Sequence, residues 1–181
     1  YSFFIMFTIG ITKGRWNTLL TALQQFKDEY QRNQPLWRIL PEFVNKHPRY
    51  ERVGLRDLCA QLHAVYREHD VAKLTTEMYL SDMEPAMRPA DAWSKMARKQ
   101  IDRVPIDELE GRITASLVTP YPPGIPLLVP GERFNARIVE YLKFVRHFNR
   151  KMPGFETDVH WLVAEETDEG IRYFIDCVRA D

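Results

Sequence analysis

Thr119-Pro-Tyr-Pro-Pro-Gly-Ile-Pro-Leu-Leu-Val-Pro-Gly-Glu132 holds five of the chain's twelve prolines. Each proline fixes its own φ, removes a backbone donor and pushes the residue before it toward extended geometry. Residues 119–123 therefore exclude helix, and Pro123-Gly124 reads as a turn. Ile125 to Val129 is an apolar run of strand length that Pro126 confines to a sheet edge or a strand start. Pro130-Gly131 turns the chain again and delivers Glu132. A stiff, apolar, twice-turned ribbon of this kind is the wall or lid edge of a site, or a crossover inside a core. Both readings stay open at this point.

Working outward, Ile113, Ala115 and Leu117 alternate with Arg112, Thr114 and Ser116 as a half-buried strand facing the first set inward. Ile101 to Ile106 alternates weakly, and Asp107 to Gly111 turns. On the other side Asn135 can cap a helix over Ala136–Lys151, with Ile138, Tyr141, Leu142, Val145 and Phe148 on its inner face and Pro153-Gly154 ending it. Val159–Ala164 and Ile171–Val178 read as strands joined by the acidic turn Glu165 to Gly170. Ile171, Tyr173, Ile175 and Cys177 should share a face.

Leu36 to Gln100 reads as helical. Leu36, Ile39, Leu40, Phe43 and Val44 form a short amphipathic helix kinked at Pro41. Leu55, Leu58, Cys59, Leu62, Val65 and Tyr66 give an i, i+3, i+4, i+7 stripe. Val71 to Leu80 carries Leu74 and Met78. Asp91 or its predecessor caps a last helix with Trp93, Met96 and Ala97 inside. Nearer the start, residues 2–9 are almost continuously apolar, the pattern of an interior strand of something larger. Thr12 then caps a helix whose inner face is Trp16, Leu19, Leu20, Leu23, Phe26 and Tyr30, and Asn33-Gln34-Pro35 breaks it. The prediction is an α+β fold, with helices in the first half of the domain after residue 33 and a small mixed β-sheet with a packed helix in the second half.

The 181 residues suffice for one sizeable core, or one domain and a fragment of another. A formal net charge of zero argues against nucleic-acid or anionic-membrane partners, which demand a basic excess. The apolar start is too short to span a bilayer and has no basic region for a signal peptide. Cys59 and Cys177 lack metal-ligand spacing and read as buried thiols of a reducing cytosol.

The ribbon Pro120 to Glu132, preceded by Gly111-Arg-Ile-Thr-Ala115, resembles the signature of the C-terminal domain of bacterial ornithine/lysine/arginine decarboxylases. These are pyridoxal-phosphate (PLP) enzymes of the aspartate-aminotransferase fold type. Phe7-Thr-Ile-Gly-Ile-Thr-Lys13 and Pro153-Gly-Phe-Glu-Thr-Asp-Val-His160 agree in order, so the likeness covers nearly the whole chain. Its signature residues are Pro120, Pro122, Pro123, Gly124, Pro126, Pro130 and Gly131. The resemblance implies residues 1–33 as the strand–helix tail of the small subdomain beside the cofactor domain, and residues 34–181 as the C-terminal domain. It implies a cytoplasmic carboxy-lyase acting on a basic amino acid, most like the inducible lysine enzymes, which assembles as a homodimer or a decamer. Such reactions consume a proton and serve acid resistance or polyamine supply. Some relatives bind guanosine tetraphosphate between subunits through residues that align with Pro35 and Arg38; Pro35 cannot supply a guanidinium.

A PLP enzyme needs a Schiff-base lysine and an acid on the pyridine nitrogen. In this family the lysine follows a histidine, and no His-Lys pair occurs here. The resemblance therefore puts cofactor and catalytic residues upstream, and the segment alone should be inactive. His47, His63, His69, His147 and His160 are scattered, so no metal site is expected. Arg146, His147, Arg150 and Lys151 read as a cationic helix end. Trp16, Trp37, Trp93 and Trp161 read as core or interface anchors. Tyr121 and Glu132 are the candidate active-site edge, Glu132 adding negative potential for a cationic substrate. On the plainer reading, Glu132 caps backbone donors and Tyr121 packs. The competing class is a non-enzymatic oligomerisation or interaction domain.

Overall fold

The computed structural model describes residues 4–121, 123–168 and 170–180. Its contacts divide the chain into two compact units, Tyr1–Glu68 and His69–Asp181.

In the first unit, residues 4–8 form no strand, contrary to the pattern reading; Ser2 and Phe3 lie outside the described residues. A buried strand needs neighbours to take its hydrogen bonds, and no described strand pairs with it. Helix α1 (Lys13–Gln31) starts after Thr12, which is extended but makes no side-chain cap bond. None of its residues is buried, and Trp16, Leu20, Leu23 and Phe26 keep 43–51% of their surface exposed. The apolar stripe exists, and it stays largely exposed.

Pro41 does more than kink the next segment. It separates α2 (Leu36–Ile39) from α3 (Pro41–Lys46), with Leu40 outside helical geometry and Pro41 at the first helical position. In α4 (Leu55–Glu68) the predicted stripe buries Leu55, Leu58 and Val65. Its start is capped from a distance: Asn33 Oδ1 accepts the Arg56 and Asp57 N–H groups at 3.0 and 3.3 Å, and Asn33 Nδ2 donates to Asp57. Asn33 does this from a left-handed backbone, φ +50°. Asn33→Ala loses both the cap and the residue type that tolerates this conformation, so it should cost about 2–3 kcal/mol. Asn33→Gly should recover roughly half by relieving the backbone term alone. Denaturant midpoints of the two variants check this.

In the second unit α5 (Val71–Leu80) buries Val71, Leu74 and Met78. Helix α6 (Pro89–Ala97) begins two residues before Asp91, on Pro89, with Arg88 as its N-cap. Its inward residue is Ala92, packed with Ala115 and Val178, while Trp93 is 57% exposed. A helix lying this close to its neighbours admits alanine where the pattern suggested tryptophan. Three strands pair antiparallel in the order β1 (Ile101–Pro105), β5 (Gly170–Val178), β4 (Val163–Thr167). A second pair joins β2 (Thr119–Tyr121) to β3 (Asp158–His160), also antiparallel. The fold is α+β, but the sheets are antiparallel rather than mixed. With Thr167 paired to Gly170, the short connection permits only antiparallel pairing of β4 with β5.

The predicted strand Val159–Ala164 is two strands in two sheets, because Trp161 takes φ +68° and breaks the extended run. The predicted strand through Ile113–Leu117 is corrected too: Thr114 and Ser116 are buried and Leu117 is exposed. Thr114 Oγ1 accepts the Ser116 N–H and donates to the Ser116 carbonyl, bending the chain so that Thr114, Ala115 and Ser116 are all buried and the alternation is lost. Along β5 the predicted face holds at its far end, with Ile175 and Cys177 buried, but Ile171 near the hairpin tip is 52% exposed. Helix α7 (Ala136–Lys151) buries seven residues, the five predicted ones among them. Asn135 Oδ1 accepts the Ile138 N–H at 3.0 Å, the cap read from the sequence.

Candidate functional site

The ribbon leaves β2 and returns on itself. Pro120 is buried opposite Val159, and Gly124 N–H closes a turn on the Pro120 carbonyl at 2.8 Å. Pro122 lies outside the described residues. The apolar run 125–129 makes no strand. One bridge, Val118 with Leu128, holds it, and both are fully buried along with Leu127. Pro126 and the turn remove the donors a longer ladder would need. Tyr79 of α5 fastens the outer limb, its hydroxyl donating to the Ile125 carbonyl at 3.0 Å.

Pro130-Gly131 makes the second turn, and Gly131 is its fixed point, at φ +96°. Its N–H donates to the Thr114 carbonyl at 2.9 Å, and its own carbonyl accepts the N–H groups of Ala86 and Met87. A Cβ there would lie 2.4 Å from the Met87 carbonyl oxygen. Next to it, Glu132 Oε2 accepts the Val129 N–H at 2.8 Å, a cap across the turn. One oxygen of the carboxylate is thus engaged by backbone.

Tyr121 stands at the other end of the ribbon, and no hydrogen bond joins it to Glu132 among the described residues. It is 45% exposed, yet fixed in place. Its ring stacks on His160 with centroids 4.4 Å apart at 30°, and a Cβ on Gly124 would meet its Cε1 at 2.8 Å. Asp158, directly opposite Tyr121 across the strands, lies 3.4 Å from His160 Nε2. Pattern reading passed over His160 and Asp158 as site residues because strand register alone brings them to Tyr121.

Several other charged groups are paired. Asp107 receives two bonds from Arg146, which hold its carboxyl below the usual range. Asp102 sits between Arg112 and Arg179, and Arg103 between Glu165 and Asp176. The cationic helix end does line a recess of about 510 Å³, formed by Lys143, Arg146, His147, Arg150 and Lys151. Histidines scattered in sequence also meet: the His69 and His147 rings lie 4.7 Å apart. His63 is exposed. Cys177 is buried, which pushes its thiol up to about 12; burial also raises Cys59. All four tryptophans are 44–57% exposed, so none is a core anchor in this chain.

These residues do not fit PLP. The recess on α7 offers lysines but no carboxylate for a pyridine nitrogen. A second recess, lined by residues such as Asp28, Glu29, Arg32 and Arg38, has no lysine for a Schiff base. No helix among the described residues is long and apolar enough to cross a membrane.

An antiparallel α+β unit carrying this clamped proline ribbon defines the class, and comparison with known proteins agrees. A family profile described as Orn/Lys/Arg decarboxylase, C-terminal domain, matches residues 72–179. The chain belongs to that family. It is 46% identical over 99% of its length to lysine decarboxylase LdcA of Pseudomonas aeruginosa, and 34% identical over 99% to the biodegradative arginine decarboxylase of Escherichia coli K12. A solved structure of lysine decarboxylase A from Pseudomonas aeruginosa superposes with a TM-score of 0.88 over 96% of this chain, at 47% identity. In each comparison the chain spans 24% of the relative's own length.

Proposed function

We propose that this chain is the C-terminal part of a cytoplasmic, PLP-dependent decarboxylase of basic amino acids, with lysine preferred over arginine and ornithine. The reading is carried by the collinear likeness along 99% of the chain, 46% to a lysine and 34% to an arginine decarboxylase. Residues 1–33 belong to the small subdomain of the PLP fold and residues 34–181 to the C-terminal domain. The cofactor is held by the rest of the polypeptide.

In the net reaction the α-carboxylate leaves as carbon dioxide and a proton takes its place on Cα. Lysine gives cadaverine and one proton is consumed per turnover. The present chain supplies structure, subunit contacts in a homodimer or larger ring, and an active-site edge that includes Tyr121 and Glu132. The exposed stripe of α1 and the exposed tryptophans support contact with further polypeptide, since uncovered apolar area of this kind marks an interface.

The test is carbon dioxide release by the full-length protein, supplied with PLP, from lysine, arginine and ornithine. Lysine should give the highest kcat/KM, and the isolated 181-residue chain should release none. Release from none of the three amino acids would reject the proposal.

A further inference from the structure

The carboxylate first set toward a cationic ligand, Glu132, is bonded to the Val129 N–H. Another one lies open at the far end of the ribbon. In the β2–β3 pair Tyr121 faces Asp158 and Thr119 faces His160, so all four share one face of the strands. Pro120 and Val159 take the opposite, buried face. The side chains of Asp158 and His160 are 68% and 52% exposed.

Three features of this face point to a ligand. An aromatic ring that is 45% exposed normally samples rotamers, yet Tyr121 stacks on His160 and lies over Gly124, where any side chain would displace it. Asp158 is open to an incoming cation: no lysine or arginine pairs with it among the described residues, and its ion-pair neighbour is a histidine on the same strand. Carboxylate and ring sit directly across from each other, the combination that binds an organic cation through charge and ring quadrupole together.

We propose that Tyr121, Asp158 and His160 form a binding site for a primary alkylammonium group. Asp158 accepts N–H bonds from the ammonium, the exposed part of the Tyr121 ring covers its methylene side, and His160 fixes the ring. The identity of the ligand rests on the decarboxylase reading: the side-chain ammonium of the substrate amino acid, or an ammonium of the diamine product. Both carry the same chemistry, and kinetics separates them.

The experiment uses the full-length enzyme with Asp158→Asn, Tyr121→Leu and, as a charge control, Glu140→Gln, an exposed carboxylate of α7 paired with Arg137. Either site variant should raise KM, or weaken inhibition by 1,5-diaminopentane, about two- to five-fold. The effect should fall on KM rather than kcat, and the control should not show it. A rise in KM assigns the site to substrate; a change confined to diamine inhibition assigns it to product. Saturation-transfer NMR with 1,5-diaminopentane reads the same site without turnover, and the signal should drop in both site variants. If wild type decarboxylates none of the three amino acids, the functional reading fails and the NMR measurement alone decides the site. Unchanged diamine binding, KM and inhibition in both site variants would overturn it.

Discussion

Gly131→Ala should lower the stability of the second unit by about 3–5 kcal/mol, among the larger effects a single methyl group can have. Two causes add. Alanine resists φ +96°, which costs about 1–2 kcal/mol wherever it occurs. The added Cβ would also lie 2.4 Å from the Met87 carbonyl oxygen, a backbone atom with no rotamer to yield. Gly131 cannot retreat, because its N–H is bonded to Thr114 and its carbonyl to Ala86 and Met87. Gly111→Ala separates the causes: Gly111 has φ +79° but nothing within 4 Å of its would-be Cβ, so it should lose the backbone term only. Thermal unfolding should show the Gly131 variant melting roughly 6–20 °C below wild type, at about 2–4 °C per kcal/mol for a chain of this size. Equal losses in the two variants would mean that the ribbon shifts freely and is not clamped between 84–87 and 112–114.

That clamp was not legible in the sequence, although its residues were. Pro130-Gly131 could be read as a turn from its own chemistry. That Gly131 lies against Met87 depends on how the 43 residues between them fold. The same division runs through the chain. Helices α5 and α7 follow from local signals: an apolar period, an asparagine cap, a Pro-Gly stop. The strand expected over 2–9 does not form because a strand is a relation between segments, and composition describes only one of them. Thr114 and Ser116 are buried alongside Ala115 where the Thr114 hydroxyl bonds the Ser116 backbone and breaks the alternation. At α6, an apolar pattern could not say whether Ala92 or Trp93 would meet the neighbouring packing, since distance makes that choice.

The candidate site was legible to a similar depth. Tyr121 and Glu132 stood out because the prolines around them restrict the backbone, and that restriction is real. What each side chain does depends on partners the ribbon does not contain. For Glu132 the partner is its own turn, three residues back. For Tyr121 it is His160, which the β2–β3 register brings to it. The string Pro153 to His160 contained both Asp158 and His160, but nothing in its spacing says that it pairs with the ribbon.

Phe148→Ala should cost about 3–5 kcal/mol, and for a different reason: it removes material instead of adding it. Phe148 is 2% exposed on the inner face of α7, its ring centroid 5.8 Å from that of Phe144. Ile138, Leu142 and Val145 on the same helix are wholly buried, so few neighbours are free to move into the space left behind. Phe148→Leu keeps most of the volume and should lose about 1–1.5 kcal/mol. The denaturant midpoint should fall in the order wild type, leucine, alanine, with the slope of the transition unchanged, as expected when packing is lost but not the extent of the folded unit. Asn135 Nδ2 also ties the start of α7 to Ser81 and the Asp82 carbonyl, beside the loop that grips Gly131. Loosening α7 in the alanine variant should therefore raise amide exchange at Gly131 along with that of the helix. If exchange at Gly131 stays at the wild-type rate while α7 opens, the ribbon is held by its bonds to Thr114 and to the 84–87 segment, and α7 is a separate support.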